Sequence, residues 1–230
     1  MKKSNNKRKR VRKTTRKQTS KQKRTVELWT KFGFLLLLVI SIGLLVFRCS
    51  MKTTRTSHLK VDASEPEIDV QLLDVNDYSR PGMESDPITG IVIHYTANPG
   101  STAQNNRDYF NGLQDGHGES VSSHFVVGMD GEIVQCVPTW EIAYASNDRN
   151  HDTVSIECCH PDESGKFTKE TYKSVVQLTA FLCKKYDLTE KDVIRHYDVT
   201  GKNCPKYFVE NEEAWDVFRA DVAAALKASE

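Results

Sequence analysis

The stretch "ITGIVIHYT", Ile88 to Thr96, is a run of β-branched and apolar residues that ends in a histidine, a tyrosine and a threonine. A strand in the middle of a parallel sheet is covered on both faces, so it shows a continuous apolar run instead of an alternating one. The stretch therefore predicts a central strand of an α/β domain, and it places His94 at the end of that strand.

The segments that follow this strand alternate between helical and extended patterns. Residues 101–114, "STAQNNRDYFNGLQ", begin with a Ser/Thr cap and predict a helix. Residues 122–137, "SSHFVVGMDGEIVQCV", hold two short apolar runs around "MDG", which predicts a β-hairpin. Residues 153–159, "TVSIECC", predict another buried strand.

The rest of the chain continues the alternation. Residues 168–186, "TKETYKSVVQLTAFLCKKY", place apolar side chains at helical spacing. Residues 192–199, "DVIRHYDV", predict a strand, and residues 212–226 predict a final helix. Strands that alternate with helices indicate an α/β fold with a mixed, mostly parallel central sheet flanked by helices.

The amino-terminal end has a different composition. Residues 1–31 contain fourteen Lys/Arg and one acid, whereas residues 48–230 contain eighteen Lys/Arg and thirty acids. Between them, residues 32–47, "FGFLLLLVISIGLLVF", carry no charge. A signal peptide and a buried core helix are the alternatives, but the long basic region and the absence of a small-x-small cleavage site favour one transmembrane helix at residues 32–48.

Orientation follows from the excess of cations before the span. The positive-inside rule predicts a basic cytoplasmic tail at residues 1–31 and a cell-membrane protein whose remaining chain is extracellular. We expect the tail to set topology, with no nucleic-acid partner. The polar, irregular residues 49–86 predict a stalk or linker. Residues 87–228 have a globular composition and predict one domain, which we expect to be monomeric.

A second histidine and a cysteine lie in "RHYDVTGKNCP", Arg195 to Pro205. Cys204 follows His196 by eight positions, and Gly201 between them allows the loop to turn back so that both side chains meet. Imidazole and thiolate are the ligands that zinc prefers, and His94 at the end of another strand would complete a three-ligand, open site. The alternatives are structural histidines and a disulfide at Cys204, which an extracellular location permits.

The motifs "IVIHYTA", "SSHFVVGMDGEIVQCVP", "VSIE" and "RHYDVTGKNCP", in this order, closely resemble the zinc-dependent N-acetylmuramoyl-L-alanine amidases of type 2, in the superfamily of bacteriophage lysozyme and the peptidoglycan recognition proteins. The resemblance covers residues 88–205. It implies a Zn²⁺ cofactor held by His94, His196 and Cys204, and a lysine needed for catalysis at Lys202. It also implies that peptidoglycan is the substrate.

Two further residues are candidates for the chemistry. Glu157 is an acid inside an apolar strand, where burial would raise its pKa toward that of a useful base, and the superfamily also has a glutamate at this point. His124 is a candidate substrate contact, with a structural role as the alternative. Two departures from the family are Ser123, where some relatives have a catalytic tyrosine, and Ala145, where others have a histidine.

These observations predict an enzyme that hydrolyses the amide bond between N-acetylmuramic acid and L-alanine in cell-wall peptidoglycan. Glu157 would act as the base, and Lys202 would stabilise the developing oxyanion. One alternative is a membrane-anchored module that binds peptidoglycan without cutting it, a class usually marked by loss of a zinc ligand. A second alternative is a membrane-anchored structural or signalling protein in which the basic tail matters most.

Overall fold

The structure is a computed structural model that describes residues 59–116 and 118–229, together with five isolated helical residues nearer the amino terminus: Trp29, Phe32, Gly33, Leu35 and Leu38. Most of the predicted span at residues 32–48 and of the basic tail at residues 1–31 lies outside the described residues. Among the residues that are described, no helix is both long enough and apolar enough to cross a membrane. The transmembrane helix stays a prediction from the sequence.

The described strands build one mixed sheet. They are β1 (Asp69–Val70), β2 (Gly90–Tyr95), β3 (Phe125–Val127), β4 (Ile133–Gln135), β5 (Thr153–Cys158) and β6 (Val193–Arg195). Their order in the sheet is β1-β4-β3-β5-β2-β6. Only β3 and β4, the predicted hairpin, pair antiparallel among these described strands, and the other neighbours are parallel. The predicted mixed, mostly parallel sheet is confirmed.

Helices cover both faces of this sheet, as predicted. They are α1 (Ala103–Gly112), α2 (Lys169–Lys185), α3 (His196–Thr200), α4 (Lys206–Glu210) and α5 (Glu212–Lys227). The starts of α1 and α2 follow from side-chain caps. The hydroxyl of Thr102 accepts from a backbone N–H of the first turn of α1, and Thr168 does the same for α2.

The strands are apolar on both sides because each side packs against a separate core. On β3, Phe125 and Val127 belong to the larger core beneath α2 and α5, whereas Val126 belongs to the smaller core beneath α1. On β2, Ile91 and Ile93 likewise point into the larger core. Full burial of such a side chain stabilises the fold by roughly 1.5–3 kcal/mol. This two-sided burial explains the continuous apolar run in the sequence.

An aromatic cluster holds the carboxy-terminal helices against the domain. The Phe208 ring centroid lies 5.2 Å from that of Phe218 and 5.5 Å from that of Trp215, and all three side chains are buried. Edge and offset contacts at such distances stabilise beyond area burial. Phe208 lies in α4, four residues after Cys204, so this packing fixes the segment that carries the cysteine.

The predicted linker at residues 49–86 is structured in its described part. From residue 59 onward it contributes the edge strand β1, and Leu73 is buried against the smaller core. The guanidinium of Arg80 donates to both carboxylate oxygens of Glu141 at 2.8 Å. The compact unit runs from Ser57 to Glu230, so the domain begins well before the predicted boundary at residue 87. A strand of two residues shows no alternation, which is why the sequence pattern missed it.

The predicted strand at residues 192–199 is also shorter than expected. It ends at Arg195, and His196 is the first residue of the one-turn helix α3. The carboxylate of Asp198 accepts from the backbone N–H of Arg195 at 2.8 Å, which satisfies a donor at the start of the helix.

Candidate metal centre and active site

The two predicted histidine ligands lie at the same edge of the sheet, each directly after a paired residue of two neighbouring parallel strands. Ile93 of β2 pairs with Arg195, the last residue of β6, and the residue after each of them is a histidine: His94 in β2 and His196 at the start of α3. The ring centroids of His94 and His196 lie 4.7 Å apart. The expectation that both strands end at one sheet edge therefore agrees with the register.

The loop after α3 returns the cysteine to this edge. Gly201 adopts a left-handed conformation with φ of 78°, which ends the helix without a steric penalty. The backbone N–H of Tyr197 then donates to the carbonyl of Cys204 at 2.9 Å. As a result the Cys204 Sγ lies 3.8 Å from Nδ1 of His94.

The buried side chain of Arg195 stabilises the start of this loop through hydrogen bonds. The guanidinium of Arg195 donates to both carboxylate oxygens of Asp198, to Glu212 at 2.7 Å and to the carbonyl of Phe208 at 3.1 Å. These contacts join β6, α3, α4 and α5 at the residue that precedes His196. Charged hydrogen bonds of this kind fix geometry as well as contributing energy.

The donor set of the three residues fits zinc. The ligand atoms of His94, His196 and Cys204 lie within 4.8 Å of one another, and the residues are 1%, 5% and 2% exposed. Tetrahedral zinc with nitrogen and sulfur ligands separates neighbouring donors by roughly 3.5 Å, close to the sulfur–nitrogen distance in this cluster. Burial holds the pKa of His94 well below its usual value and lowers that of His196, which keeps both imidazoles neutral and able to ligate.

Glu157 lies directly beside these residues. Its Oε1 is 3.9 Å from Nδ1 of His94, while its Oε2 is buried and has no hydrogen-bond partner within the described residues. Burial raises the pKa of Glu157 to about 8, and the nearby positive charge of Lys202 opposes that shift. A buried carboxyl with one oxygen unpartnered among the described residues, beside the candidate ligands, is consistent with a site for a cation and a reacting water.

The cluster opens into a cleft of about 260 Å³. Lys202 lies at its exposed rim, and Glu157 and the three candidate ligands line its inner end. The remaining wall is formed by residues of β2, of α1, of the loops that follow them and of the loop before β5: Tyr95, Thr96, Ala97, Asn106, Tyr109, Phe110, Glu119, Val121 and Ala145. The structure thus brings together every predicted metal-binding and catalytic residue around one solvent-accessible space.

Comparison with known protein families identifies the chain. The sequence model of the N-acetylmuramoyl-L-alanine amidases matches residues 84–207, which is more than half of the chain and includes the whole cluster. The chain belongs to the N-acetylmuramoyl-L-alanine amidase family. The family predicted from the sequence motifs is therefore confirmed.

Two curated members of this amidase family show the extent of the likeness. The N-acetylmuramoyl-L-alanine amidase CwlL of Bacillus licheniformis is 37% identical over 165 residues, which span 66% of this chain and 45% of that protein. The N-acetylmuramoyl-L-alanine amidase BlyA of Bacillus subtilis (strain 168) is 32% identical over 173 residues, 66% of this chain and 46% of that protein. The chain thus spans less than half the length of these relatives.

Solved structures share the amidase-family fold. PlyL superposes with a TM-score of 0.60 at 23% identity, covering 70% of this chain and 99% of PlyL. The hydrolase AmiA of Staphylococcus aureus, solved in complex with its ligand, gives a TM-score of 0.53 at 19% identity, covering 71% of this chain and 84% of AmiA. At this identity the likeness concerns the fold alone.

His124, the candidate substrate contact of this amidase-family chain, is buried behind the cleft and is not among the residues that line it. Its Nδ1 lies 3.0 Å from the backbone nitrogen of Ser155, which donates to it, and its Nε2 lies 2.9 Å from the carbonyl oxygen of Glu141. Both ring nitrogens are therefore satisfied by protein groups. This geometry corresponds to the structural alternative and offers no nitrogen to a substrate.

Sequence reasoning missed two residues that contact the candidate metal ligands. Ser146 Oγ lies 3.1 Å from Nε2 of His94, and Asn147 Oδ1 lies 2.9 Å from Nε2 of His196. The stretch "YASN", residues 144–147, attracted attention only because Ala145 departs from the amidase family's pattern. Nothing in a single sequence indicates that Ser146 contacts a histidine about 50 residues earlier, or that Asn147 contacts one about 50 residues later.

Proposed function

We propose that this chain is a zinc-dependent N-acetylmuramoyl-L-alanine amidase, which hydrolyses the amide bond between N-acetylmuramic acid and L-alanine in peptidoglycan. The observation that carries the proposal is the convergence of His94, His196 and Cys204 with the unpartnered Glu157 carboxyl at the inner end of an open cleft. Support for the substrate comes from membership of the family and from relatives that are named N-acetylmuramoyl-L-alanine amidases.

His94, His196 and Cys204 would hold the zinc ion. When bound, zinc supplies a Lewis acid that polarises the scissile carbonyl and acidifies water, and its charge favours the carboxylate form of Glu157. Three protein ligands leave a coordination position open, as catalytic sites require and structural sites do not. All three ligands are present, which argues against the alternative of a binding module that has lost catalysis.

Glu157 would move the proton. As general base it takes a proton from the attacking water, while the water oxygen bonds to the lactyl carbonyl carbon. The carbon–nitrogen bond then breaks, and the protonated Glu157 returns the proton to the leaving amine of L-alanine. A pKa raised by burial suits a group that must both accept and release a proton near neutral pH.

Lys202 would stabilise the charge that develops on the carbonyl oxygen. It lies at the rim of the same cleft as Glu157 and the ligands. Its ammonium group is close enough to affect the pKa values of Glu157, His94 and His196 electrostatically. A fixed positive group at this place stabilises an oxyanion more strongly than the neutral ground-state carbonyl.

Product analysis tests this function. The full chain, loaded with zinc, is incubated with purified peptidoglycan, and the expected products are free lactyl carboxyl groups and new L-alanine amino termini. Treatment with a chelator should abolish them, and added zinc should restore them. New reducing sugar ends would instead identify a glycosidase, and binding to peptidoglycan without any new termini would favour the binding module.

We also propose, from the sequence, that residues 32–48 anchor the chain in the lipid bilayer of the cell membrane, with the basic tail in the cytoplasm. The uncharged run and the fourteen preceding cations support this orientation. Protease added to intact cells should remove the globular unit and leave the tail protected. A reporter fused after Glu230 that proves cytoplasmic would overturn this orientation and remove access to the cell wall.

A further inference from the structure

Both candidate ligand histidines have their Nε2 atoms held by consecutive residues of one short segment. Ser146 Oγ lies 3.1 Å from Nε2 of His94, and Asn147 Oδ1 lies 2.9 Å from Nε2 of His196. On His94 the opposite nitrogen, Nδ1, is the one that lies near the Cys204 sulfur. An imidazole that donates its Nε2–H to an oxygen keeps the Nδ1 lone pair free for a metal.

The segment that carries these two residues is rigid for local reasons. The side-chain oxygen of Asn150 accepts from the backbone N–H groups of Ala145 and Ser146. The backbone N–H groups of Arg149 and Asn150 donate in turn to the carbonyls of Ser146 and Asn147. Hydrogen bonds within the loop, from the Asn150 side chain and the backbone, therefore hold its conformation independently of the histidines.

Asn147 has a backbone conformation that normally favours glycine. Its φ is 51°, in the left-handed region, where the Cβ of a side chain crowds the following carbonyl oxygen. Asparagine tolerates this region better than most residues, but glycine would fit without cost. A side chain at this strained position, with its amide oxygen on a candidate ligand, indicates that the side chain itself has a role.

We propose that Ser146 and Asn147 are positioning residues of the metal centre, which hold His94 and His196 in the Nε2–H tautomer and fix the planes of their rings. The inference rests on the proposed function, since it assumes that these histidines ligate zinc. Ligating histidines usually donate their other N–H to an oxygen acceptor. Neither Ser146 nor Asn147 lines the cleft, so their effect reaches the reaction only through the ligands.

Zinc affinity is the first measurement, by competition with a chelator on the full chain. Ser146→Ala and Asn147→Gly should each weaken zinc binding about 10–100-fold, the usual cost of losing an outer partner of a ligand. Asn147→Gly keeps the left-handed backbone, so its thermal stability should not fall. Asn147→Asp retains an oxygen acceptor and should restore tight binding.

Two substitutions serve as matched controls. Ser123→Ala removes another buried hydroxyl, which donates to the carbonyl of Phe125 and touches no ligand. Asp187→Gly relaxes another left-handed residue, with φ of 56°, at an exposed position after α2. Both should keep the zinc affinity of the parent chain. Weakening by the controls equal to that of the test variants would reduce the effect to general loosening and overturn the proposal.

The tautomers provide a second measurement that does not depend on metal. Nitrogen NMR of the zinc-free chain should show His94 and His196 protonated at Nε2, and Asn147→Gly should convert His196 to a mixture of tautomers. Unchanged tautomers together with unchanged zinc affinity in both variants would overturn the inference. A parent chain that binds no zinc at all would overturn the proposed function instead, while the tautomer measurement would still decide the role of Ser146 and Asn147.

Discussion

His94 and Glu157 occupy paired positions on the neighbouring parallel strands β2 and β5, and Nδ1 of His94 lies 3.9 Å from Oε1 of Glu157. Side chains at paired positions of parallel strands project from the same face of the sheet. The candidate base and a candidate metal ligand are therefore held at a separation that the backbone hydrogen bonds of the sheet determine. A site on such rigid elements is positioned more precisely than one built on loops.

The metal content of the full chain tests the ligand set. We expect about one zinc per chain by elemental analysis, and Cys204→Ser should lose most of it, because a serine hydroxyl is a poor zinc ligand. Cys183→Ser is the matched control, since the Cys183 sulfur lies in the larger core, donates to the carbonyl of Thr189 and is outside the cluster. Full occupancy in Cys204→Ser would remove this residue from the site.

Glu157→Gln tests the assignment of the base. The substitution keeps the shape of the side chain and removes its proton-accepting oxygen, so kcat should fall about 10²–10⁴-fold, the usual share of general acid–base catalysis. Zinc content and binding to intact peptidoglycan should stay unchanged, which separates this effect from loss of the metal. Near-normal turnover would leave the amidase assignment in place and show that another group moves the proton.

Lys202→Ala tests the proposed oxyanion stabilisation. Removal of one such donor should lower kcat by about 10²–10³-fold without loss of zinc. Lys206→Ala is the matched control, because this lysine is close in sequence but donates to the carbonyl of Glu163 and does not line the cleft. Equal losses in the two variants would point to a general effect of surface charge and against a specific role for Lys202.

Leu73→Ala tests whether the described residues before 87 belong to the fold. Leu73 is 1% exposed and packs in the smaller core, so its truncation should lower the free energy of unfolding by about 2–4 kcal/mol in urea titrations. Val75→Ala, at a position 66% exposed, should change it by less than about 0.5 kcal/mol. Equal stabilities for both variants would mean that the segment is only loosely attached.

The buried His124 predicts an acid-sensitive component of stability. Burial lowers its pKa to about 4, from 6.5 for an unperturbed histidine. The unfolded chain binds the His124 proton more readily than the folded chain. The stability that neutral His124 contributes is therefore complete above pH 6.5 and is lost as the pH falls toward 4. Between pH 7.5 and 4.5 the loss should be about 2–3 kcal/mol in urea titrations of the zinc-free chain.

His124→Gln removes this titration while keeping a hydrogen-bonding side chain. Over the same pH interval, the free energy of unfolding should fall less in the variant than in the parent chain. The difference between the two losses should be about 2–3 kcal/mol. The comparison of two pH differences cancels the contributions of the other histidines. An identical pH dependence in both proteins would show that His124 takes up its proton over this interval in the folded chain as well, and that folding does not lower its pKa.

The long elements were predictable because their sequence patterns follow from local rules. Two-sided burial gives β2 and β5 continuous apolar runs, a Ser/Thr cap precedes α1, and apolar residues at helical spacing mark α2. Two of the shortest elements, β1 and α3, were not predicted. The two residues of β1 and the single turn of α3 are stabilised by their neighbours in space, and they are too short to show a period.

The sequence by itself determined the residue types of the candidate site and the sheet edge near which two of them lie. A histidine at the end of each of two predicted parallel strands, with a cysteine one glycine-containing loop away, predicted a zinc site at that edge, with structural histidines and a disulfide as the alternatives. The family motifs supplied the order of these elements. Residue type and strand position are local properties, which a single chain displays directly.

Only the tertiary structure decided which side chains complete the site. It satisfied both nitrogens of His124 within the fold, left one oxygen of Glu157 without a described partner, and brought Ser146 and Asn147 against the two histidines. These outcomes depend on contacts between residues 17 to 52 positions apart, and therefore on strand register and loop closure. A hydrogen bond across such distances leaves no periodic or compositional trace in the sequence, because its geometry exists only after the sheet has assembled.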